Sequence, residues 1–190
     1  MFLKSFWAAA LANSNLLLHT ARLYTLFKDY SPRTIYKETP LFYEDWDEKS
    51  SKLLITCDEE FQQIEARLPL VGEVIPPVLT HYDSTDSKSL TYKLRSIEAF
   101  KGIRLNMLAT ADGFVPNWYN RYLTEDVPYG RLIVKSIAVF FSIQTPNIDK
   151  ILYWVQAQMG REYLLKGPCR GEIWPIPECQ IIMCLQLRSF

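Results

Sequence analysis

The chain has 190 residues, 48% of them hydrophobic and 14% aromatic. That is enough for one domain with a real core and too apolar for a disordered chain. Lys+Arg and Asp+Glu both number 21, a formal net charge of zero, which argues against a general nucleic-acid or anionic-membrane binder, since both need excess basic charge.

The opening "MFLKSFWAAALANS" has a Lys, a short apolar run and an A-x-A at Ala10-Leu11-Ala12, in the manner of a signal peptide. The run is short and the apolar pattern resumes at once with Leu16, Leu17 and Leu18, so the expectation is a retained start and a cytoplasmic chain. No apolar run reaches the length of a membrane span. Residues 2–28 read as one amphipathic helix, or two joined near Asn13-Ser14, with Leu16, His19, Leu23 and Phe27 on one face. Pro32 ends it. Between 36 and 56 the runs "TPLFYEDW" and "KLLIT", separated by charged turn residues, suggest a small β-hairpin. A helix is expected over about 58–68, with Phe61, Ile64 and Leu68 on one face, until Pro76 and Pro77 break the pattern.

"DSTDSKSLTYKLRSI" predicts a capped helix near 86–96, and residues 105–130 predict short helices and turns. Two stronger helices follow. One starts near Val127, with Asp126 as cap and Pro128 in its first turn, and runs through Leu132, Ile133, Ile137 and Phe140. The other has Thr145 as cap and Pro146 at its first position, and Gly160 stops it. Ile148, Ile151, Leu152, Val155 and Met159 form its inner stripe. After Lys166 the helical period is lost. The chain reads as a single, mainly α domain over 1–190.

Cysteines stand at 57, 169, 179 and 184 without a C-x-x-C. That spacing suits neither a zinc site nor a disulfide scaffold, and no metal is expected. The chain has no G-x-G-x-x-G, Walker-type loop, H-E-x-x-H or G-x-S-x-G, so it offers no recognisable dinucleotide-binding fold of its own.

Two constellations carry chemistry. In "NSNLLLHTARLYTLF", Asn15 and His19 stand at i and i+4, on the same side of a helix. In "NRYLTEDVPYG", Arg121 and Asp126 flank a helix start. A carboxylate beside a histidine fixes its tautomer and favours the imidazolium, which suits proton transfer near neutral pH. A guanidinium presents a planar fork that matches a substrate carboxylate. The bland alternatives are a satisfied structural histidine and a helix cap with a surface ion pair. Trp46 and Trp118 could line a substrate pocket, but core or rim packing is the favoured reading of each; the acidic turn "YEDWDE" at 43–48 could attract a cationic amino substrate, but a solvated turn is the favoured reading. His81 reads as a helix-end residue, and none of the cysteines has neighbours that would activate it.

The motifs "NSNLLLHTARLYTLF", "NRYLTEDVPYGRLIVKSIA" and "TPNIDKILYWVQAQMGREYL" together resemble the C-terminal helical domain of the opine dehydrogenases, the octopine/nopaline dehydrogenase family, over roughly residues 9–166. The family's N-x-x-x-H falls on Asn15 and His19. Its R-x-x-x-x-D-[VI]-P falls on Arg121, Asp126, Val127 and Pro128. The resemblance implies a helical domain like the C-terminal fold of 6-phosphogluconate dehydrogenase. It implies an NAD- or NADP-dependent oxidoreductase that condenses an amino acid with an α-keto acid and reduces the imine. It further implies His19 as acid/base group, Asp126 as its orienting carboxylate, Arg121 as carboxylate clamp and Asn15 as a helper near substrate or cofactor. The NAD(P)-binding Rossmann half is expected to lie outside these 190 residues, on a longer or partner chain, with self-association as the other expected interaction. Residues 167–190 read as an atypical tail. Two alternatives stand beside this reading: a non-catalytic helical remnant or interaction module, and a related dehydrogenase of a keto or hydroxy acid.

Overall fold

The computed structural model describes residues 11–68 and 75–164. In chain order these form α1 (Asn15–Phe27), α2 (Glu48–Glu65), a single turn α3 (Val78–His81), α4 (Ser87–Ser96), a 3-10 turn (Glu98–Phe100), strands β1 (Met107–Thr110) and β2 (Gly113–Pro116), α5 (Arg121–Thr124), a π-helical turn (Val127–Arg131), α6 (Leu132–Phe140) and α7 (Pro146–Met159). The architecture is mainly helical, as expected. Most of the signal-like start, the 167–190 tail, Cys169, Cys179 and Cys184 lie outside the described residues. Among the described residues, no helix is long and apolar enough to cross a membrane.

α1 sits at the centre. Its residues from Leu16 to Leu23 are buried around the whole circumference, as in a helix enclosed by its neighbours. α2, α5, the π-turn and α7 all pack against it. It begins where the Asn13 carboxamide oxygen accepts the Asn15 N–H at 3.0 Å, a local side-chain turn of the kind that favours helix starts. The expected break near Asn13-Ser14 is therefore the start of α1.

The 36–56 stretch differs from expectation. "KLLIT" is helical and belongs to α2, which starts ten residues earlier than predicted, at Glu48. Asp47 caps it by accepting the Ser50 N–H at 3.0 Å, and Leu53, Leu54, Cys57, Phe61 and Ile64 supply a buried helical stripe. The cap and the 3.6-residue period together override the β-branched composition of the run. An antiparallel two-stranded sheet exists, but β1 and β2 form it, in register Met107↔Pro116 to Thr110↔Gly113. The segment around residues 36–42 is extended, yet its partners come from 103–114. Tyr36 bridges Phe114 and Leu41 bridges Arg104. Gly113 has a φ of +145°, and a Cβ there would collide with the Tyr36 carbonyl oxygen, so only glycine lets the hairpin meet this segment.

Two of the predicted helix ends, the start of α4 and the stop of α7, are as the residues predict. Asp86 and Ser89 form a reciprocal capping box on α4. Gly160 ends α7 in the left-handed conformation, φ +62° and ψ +29°. Thr145, however, does not cap α7 with its side chain. Instead Glu60 of α2 accepts the Asn147 and Ile148 N–H groups at 2.8 and 2.9 Å. A buried carboxylate from another helix thus satisfies the orphan donors of α7. Ile137, Ile151, Leu152 and Val155 are fully buried as expected, while Ile133 is half-buried. Each fully buried aliphatic chain contributes roughly 1.5–3 kcal/mol.

Candidate active site

His19 is the fifth residue of α1, one turn beyond Asn15. Asp126 comes from the junction between α5 and the π-turn. Its carbonyl accepts the Arg131 N–H at 2.9 Å, the wide i to i+5 bond that defines such a turn. The expected α-helical start at Val127 is therefore π-helical, and the Asp126 side chain makes no cap bond. Two contacts press this turn onto α1. Gly130 lies so close that a Cβ would stand 2.7 Å from the Leu16 Cβ. The fully buried Arg131 donates to the Leu17 carbonyl at 3.0 Å. Glycine allows the approach and arginine holds it.

The result is a contact between residues 107 positions apart: His19 Nδ1 and Asp126 Oδ2 are 2.7 Å apart. The imidazole is 7% exposed as a residue, and the Asp126 side chain 19%. At this distance the pair is a charge-assisted hydrogen bond when His19 is protonated. On the other side, His19 Nε2 lies 3.1 Å from the Tyr43 hydroxyl. Tyr122 leans over the ring with centroids 4.1 Å apart, and Phe42 meets it edge-on at 5.5 Å.

Phe42 and Tyr43 reach His19 because α1 itself anchors their loop. Arg22, buried and three residues after His19, donates to the carbonyls of Phe42 at 3.3 Å and Asp45 at 2.5 Å. It also donates to Asp47 at 3.3 Å and Ser50 at 3.1 Å. Burial pushes the Tyr43 hydroxyl well above the ordinary tyrosine range, and the neighbouring Tyr122, Tyr82 and Asp126 add to that shift. Burial likewise raises the Tyr122 hydroxyl; Arg121 opposes this shift and Asp126 reinforces it.

A cleft of about 260 Å³ opens beside the pair, lined by Asn13, Leu16, Glu125, Asp126, Tyr129 and Gly130. Asp126 therefore links the buried histidine to an accessible space. Asn15 is half-buried on the same helix. Arg121 opens α5 with its side chain 76% exposed, and its guanidinium stands 3.8 Å from Glu125. The fold thus brings His19 and Asp126 into contact, while Arg121 projects from the exposed face of the same segment.

The remaining candidates have structural partners. Trp46 is fully buried and its indole N–H donates to Ser51 at 2.9 Å. Trp118 packs edge-on against Phe27, Tyr30 and Trp154. In the acidic turn, Glu44 accepts the Gly102 N–H, Asp45 accepts the Leu41 N–H and Asp47 caps α2. His81 ends α3 and is exposed. Burial raises the Cys57 thiol, which the neighbouring Arg131 only partly offsets, as suits an unreactive core cysteine. Sequence reasoning missed Tyr43, whose place in a loop gives no periodic signal.

The described residues do not form a dinucleotide cradle. Their sheet is a two-stranded antiparallel hairpin, without the strand, glycine-rich turn and helix that hold a pyrophosphate.

Residues 2–159 match the model of the NAD/NADP octopine/nopaline dehydrogenase alpha-helical domain. The chain is 27% identical over 166 residues to octopine dehydrogenase of Pecten maximus, covering 82% of this chain and 41% of that protein. It is 32% identical over 170 residues to tauropine dehydrogenase of Arabella iricolor, covering 83% of this chain and 43% of that protein. Among solved structures, octopine dehydrogenase with NADH and agmatine superposes with a TM-score of 0.69 at 28% identity. That match covers 85% of this chain and 43% of the other. Octopine dehydrogenase with NADH and L-arginine superposes with a TM-score of 0.66 at 27% identity, covering 83% and 42%. The chain spans about two fifths of the length of the curated relatives it matches.

Proposed function

The chain belongs to the octopine/nopaline dehydrogenase family through its alpha-helical domain, and from that membership we propose that residues 1–190 act as the substrate-binding and proton-transfer half of an opine-forming dehydrogenase. The observation that carries this reading is the 2.7 Å contact between His19 and Asp126 at the edge of an open cleft. The proposed reaction joins the amine of an amino acid to an α-keto acid and reduces the resulting imine. The hydride comes from NADH or NADPH, held by a Rossmann domain outside the described residues. Octopine dehydrogenase has been solved with NADH together with L-arginine or pyruvate, which supports this choice of cofactor and of substrate classes.

Within that reaction, His19 takes a proton from the substrate ammonium, so that the nitrogen lone pair can attack the keto carbon. A second nitrogen proton passes to the keto oxygen to give a carbinolamine, and His19 returns its proton to that hydroxyl, which leaves as water. Asp126 holds Nδ1, orients the ring and stabilises the imidazolium while the proton is in transit. Arg121, exposed on the same segment, is the clamp for a substrate carboxylate, where its planar fork gives a bidentate match. Asn15 lies one helical turn before His19 and helps to position substrate or cofactor. The reaction is placed in the cytoplasm. The Rossmann partner is either a further part of the protein or a separate chain.

One observation favours a second reading, in which the domain is a helical module without turnover. His19 is nearly enclosed, and both its nitrogens have protein partners. Domain complementation separates the two. The purified 190-residue chain is expected to bind NADH poorly and to show no NADH oxidation dependent on an amino acid and a keto acid. Joining it to a Rossmann domain from a relative should produce that activity, and His19→Ala in the joined protein should lower kcat by about 10²–10⁴-fold. Unimpaired turnover in the His19→Ala protein would favour the module.

A further inference from the structure

An ionised carboxylate offers only acceptors, so Asp126, 2.7 Å from Nδ1, requires the imidazole proton to sit on Nδ1. Neutral His19 then presents a lone pair at Nε2. The group facing that lone pair is the Tyr43 hydroxyl, 3.1 Å away, which must donate. Neighbouring groups hold the Tyr43 ring in this position. It stacks on Phe100 with centroids 3.9 Å apart and a 16° tilt, it is 5% exposed, and Arg22 pins the backbone on both sides of it through the carbonyls of Phe42 and Asp45. Burial keeps its hydroxyl protonated, and therefore a donor, through the neutral pH range.

We infer that Tyr43 is a positioning residue for His19: its hydroxyl donates to Nε2 and, with Asp126 on Nδ1, fixes both the tautomer and the orientation of the ring until a substrate atom takes the place of the hydroxyl at Nε2. The inference rests on the reading of His19 as the acid/base group. It adds a third member, from a loop 24 residues downstream, to the pair carried by the family motifs. A tyrosine serves here where an aliphatic residue would not. Its ring completes the aromatic wall with Phe42, and its hydroxyl saturates the one nitrogen that Asp126 cannot reach. When His19 becomes an imidazolium, the same oxygen can accept the Nε2 proton, so the contact survives both states of the ring.

The test is nitrogen-15 NMR of the full 190-residue chain labelled at histidine, at a pH where His19 is neutral. A His81→Gln background leaves His19 as the single imidazole, because the chain has two histidines. The parent should show a protonated Nδ1 and an Nε2 with the shift of a hydrogen-bonded acceptor. Tyr43→Phe should move Nε2 downfield, toward a free lone pair, whereas Tyr122→Phe, which removes a hydroxyl from the ring over the imidazole face, should leave it in place. In the protein joined to a Rossmann domain, Tyr43→Phe should lower kcat about 2–10-fold, the worth of one net hydrogen bond, and alter the pH profile. A protonated Nε2 in the parent would overturn the inference, and would do so even if Tyr43→Phe failed to fold. So would an Nε2 unmoved by Tyr43→Phe, or moved equally by Tyr122→Phe. A full His19→Ala effect with an unmoved Nε2 would remove Tyr43 alone and leave the proposed function standing. A bonded Nε2 with unimpaired His19→Ala turnover would remove the proposed function, and with it the role given to Tyr43.

Discussion

Glu60 and Asp126 are both carboxylates that meet a distant helical segment, and they are held in opposite ways. Glu60 is 5% exposed and receives the Asn147 N–H, the Asn147 side-chain amide and the Ile148 N–H at 2.8–2.9 Å. Every partner belongs to the first turn of one helix, so the carboxylate is fully engaged in joining α2 to α7. Asp126 touches His19 through one oxygen and borders the cleft. The first arrangement locks two helices together. The second keeps a carboxylate fixed to one ring, with open space on its other side. Burial and short hydrogen bonds are common to both regions, so neither distinguishes a site from a strut. What differs is whether the polar group still faces open space.

That comparison can be broken most forcefully at Glu60. Glu60→Ala strands two backbone donors at the start of α7 and should cost about 2–4 kcal/mol of stability, read as a lower denaturant midpoint. In the joined enzyme, kcat per folded molecule should hold. An effect on kcat without loss of stability would erase the distinction between the two carboxylates.

A pH titration sharpens it further. Tyr43, Tyr82 and Tyr122 are all raised above the ordinary value of 10.0, with burial as the leading cause in each. A raised tyrosine holds its proton more tightly folded than unfolded, so the folded state binds more protons once the pH passes the unfolded value. The stability these groups contribute is fully present below about pH 10 and is lost as pH rises toward their folded values. Thermal melts from pH 8 to 11, followed by tyrosinate absorbance, should show base-induced unfolding coupled to ionisation of the site tyrosines. Ionisation of all tyrosines near pH 10 without loss of structure would contradict the packing around His19.

The smallest expected effect on stability is at Arg121. Its ion pair with Glu125 is exposed on both sides, so Arg121→Ala should change stability by less than about 0.5 kcal/mol. In the joined enzyme the same substitution should raise KM for the carboxylate substrate. An unchanged KM would remove Arg121 from the site.

Much of this was legible in the residues. The His19–Asp126 contact follows from two motifs whose spacings are local, and the family resemblance joins them. α4 and α7 announce themselves through Asp86, Pro146 and Gly160, because caps are local chemistry. What was not legible depends on partners far along the chain. The strand potential of residues 36–42 is real, but its partners are 103–114, and pairing register cannot be read from one strand. "KLLIT" looks like a strand until Asp47 is seen capping the helix that contains it. Thr145 looks like the cap of α7, yet Glu60 does that work from 87 residues away. Tyr43 carries no motif, period or charge signal; Arg22 and the turn at Asp45 deliver it to His19.

Asp126→Asn in the protein joined to a Rossmann domain, with turnover and melting temperature measured on the same sample, tests the central claim most directly. The carboxamide keeps the volume of the side chain but removes the charge that stabilises the imidazolium. If the His19–Asp126 pair moves protons, kcat/KM falls by about 10²-fold or more while the melting temperature shifts by only a few degrees. Turnover within twofold of the parent would show that the pair is structural and that the proton-transfer group lies elsewhere.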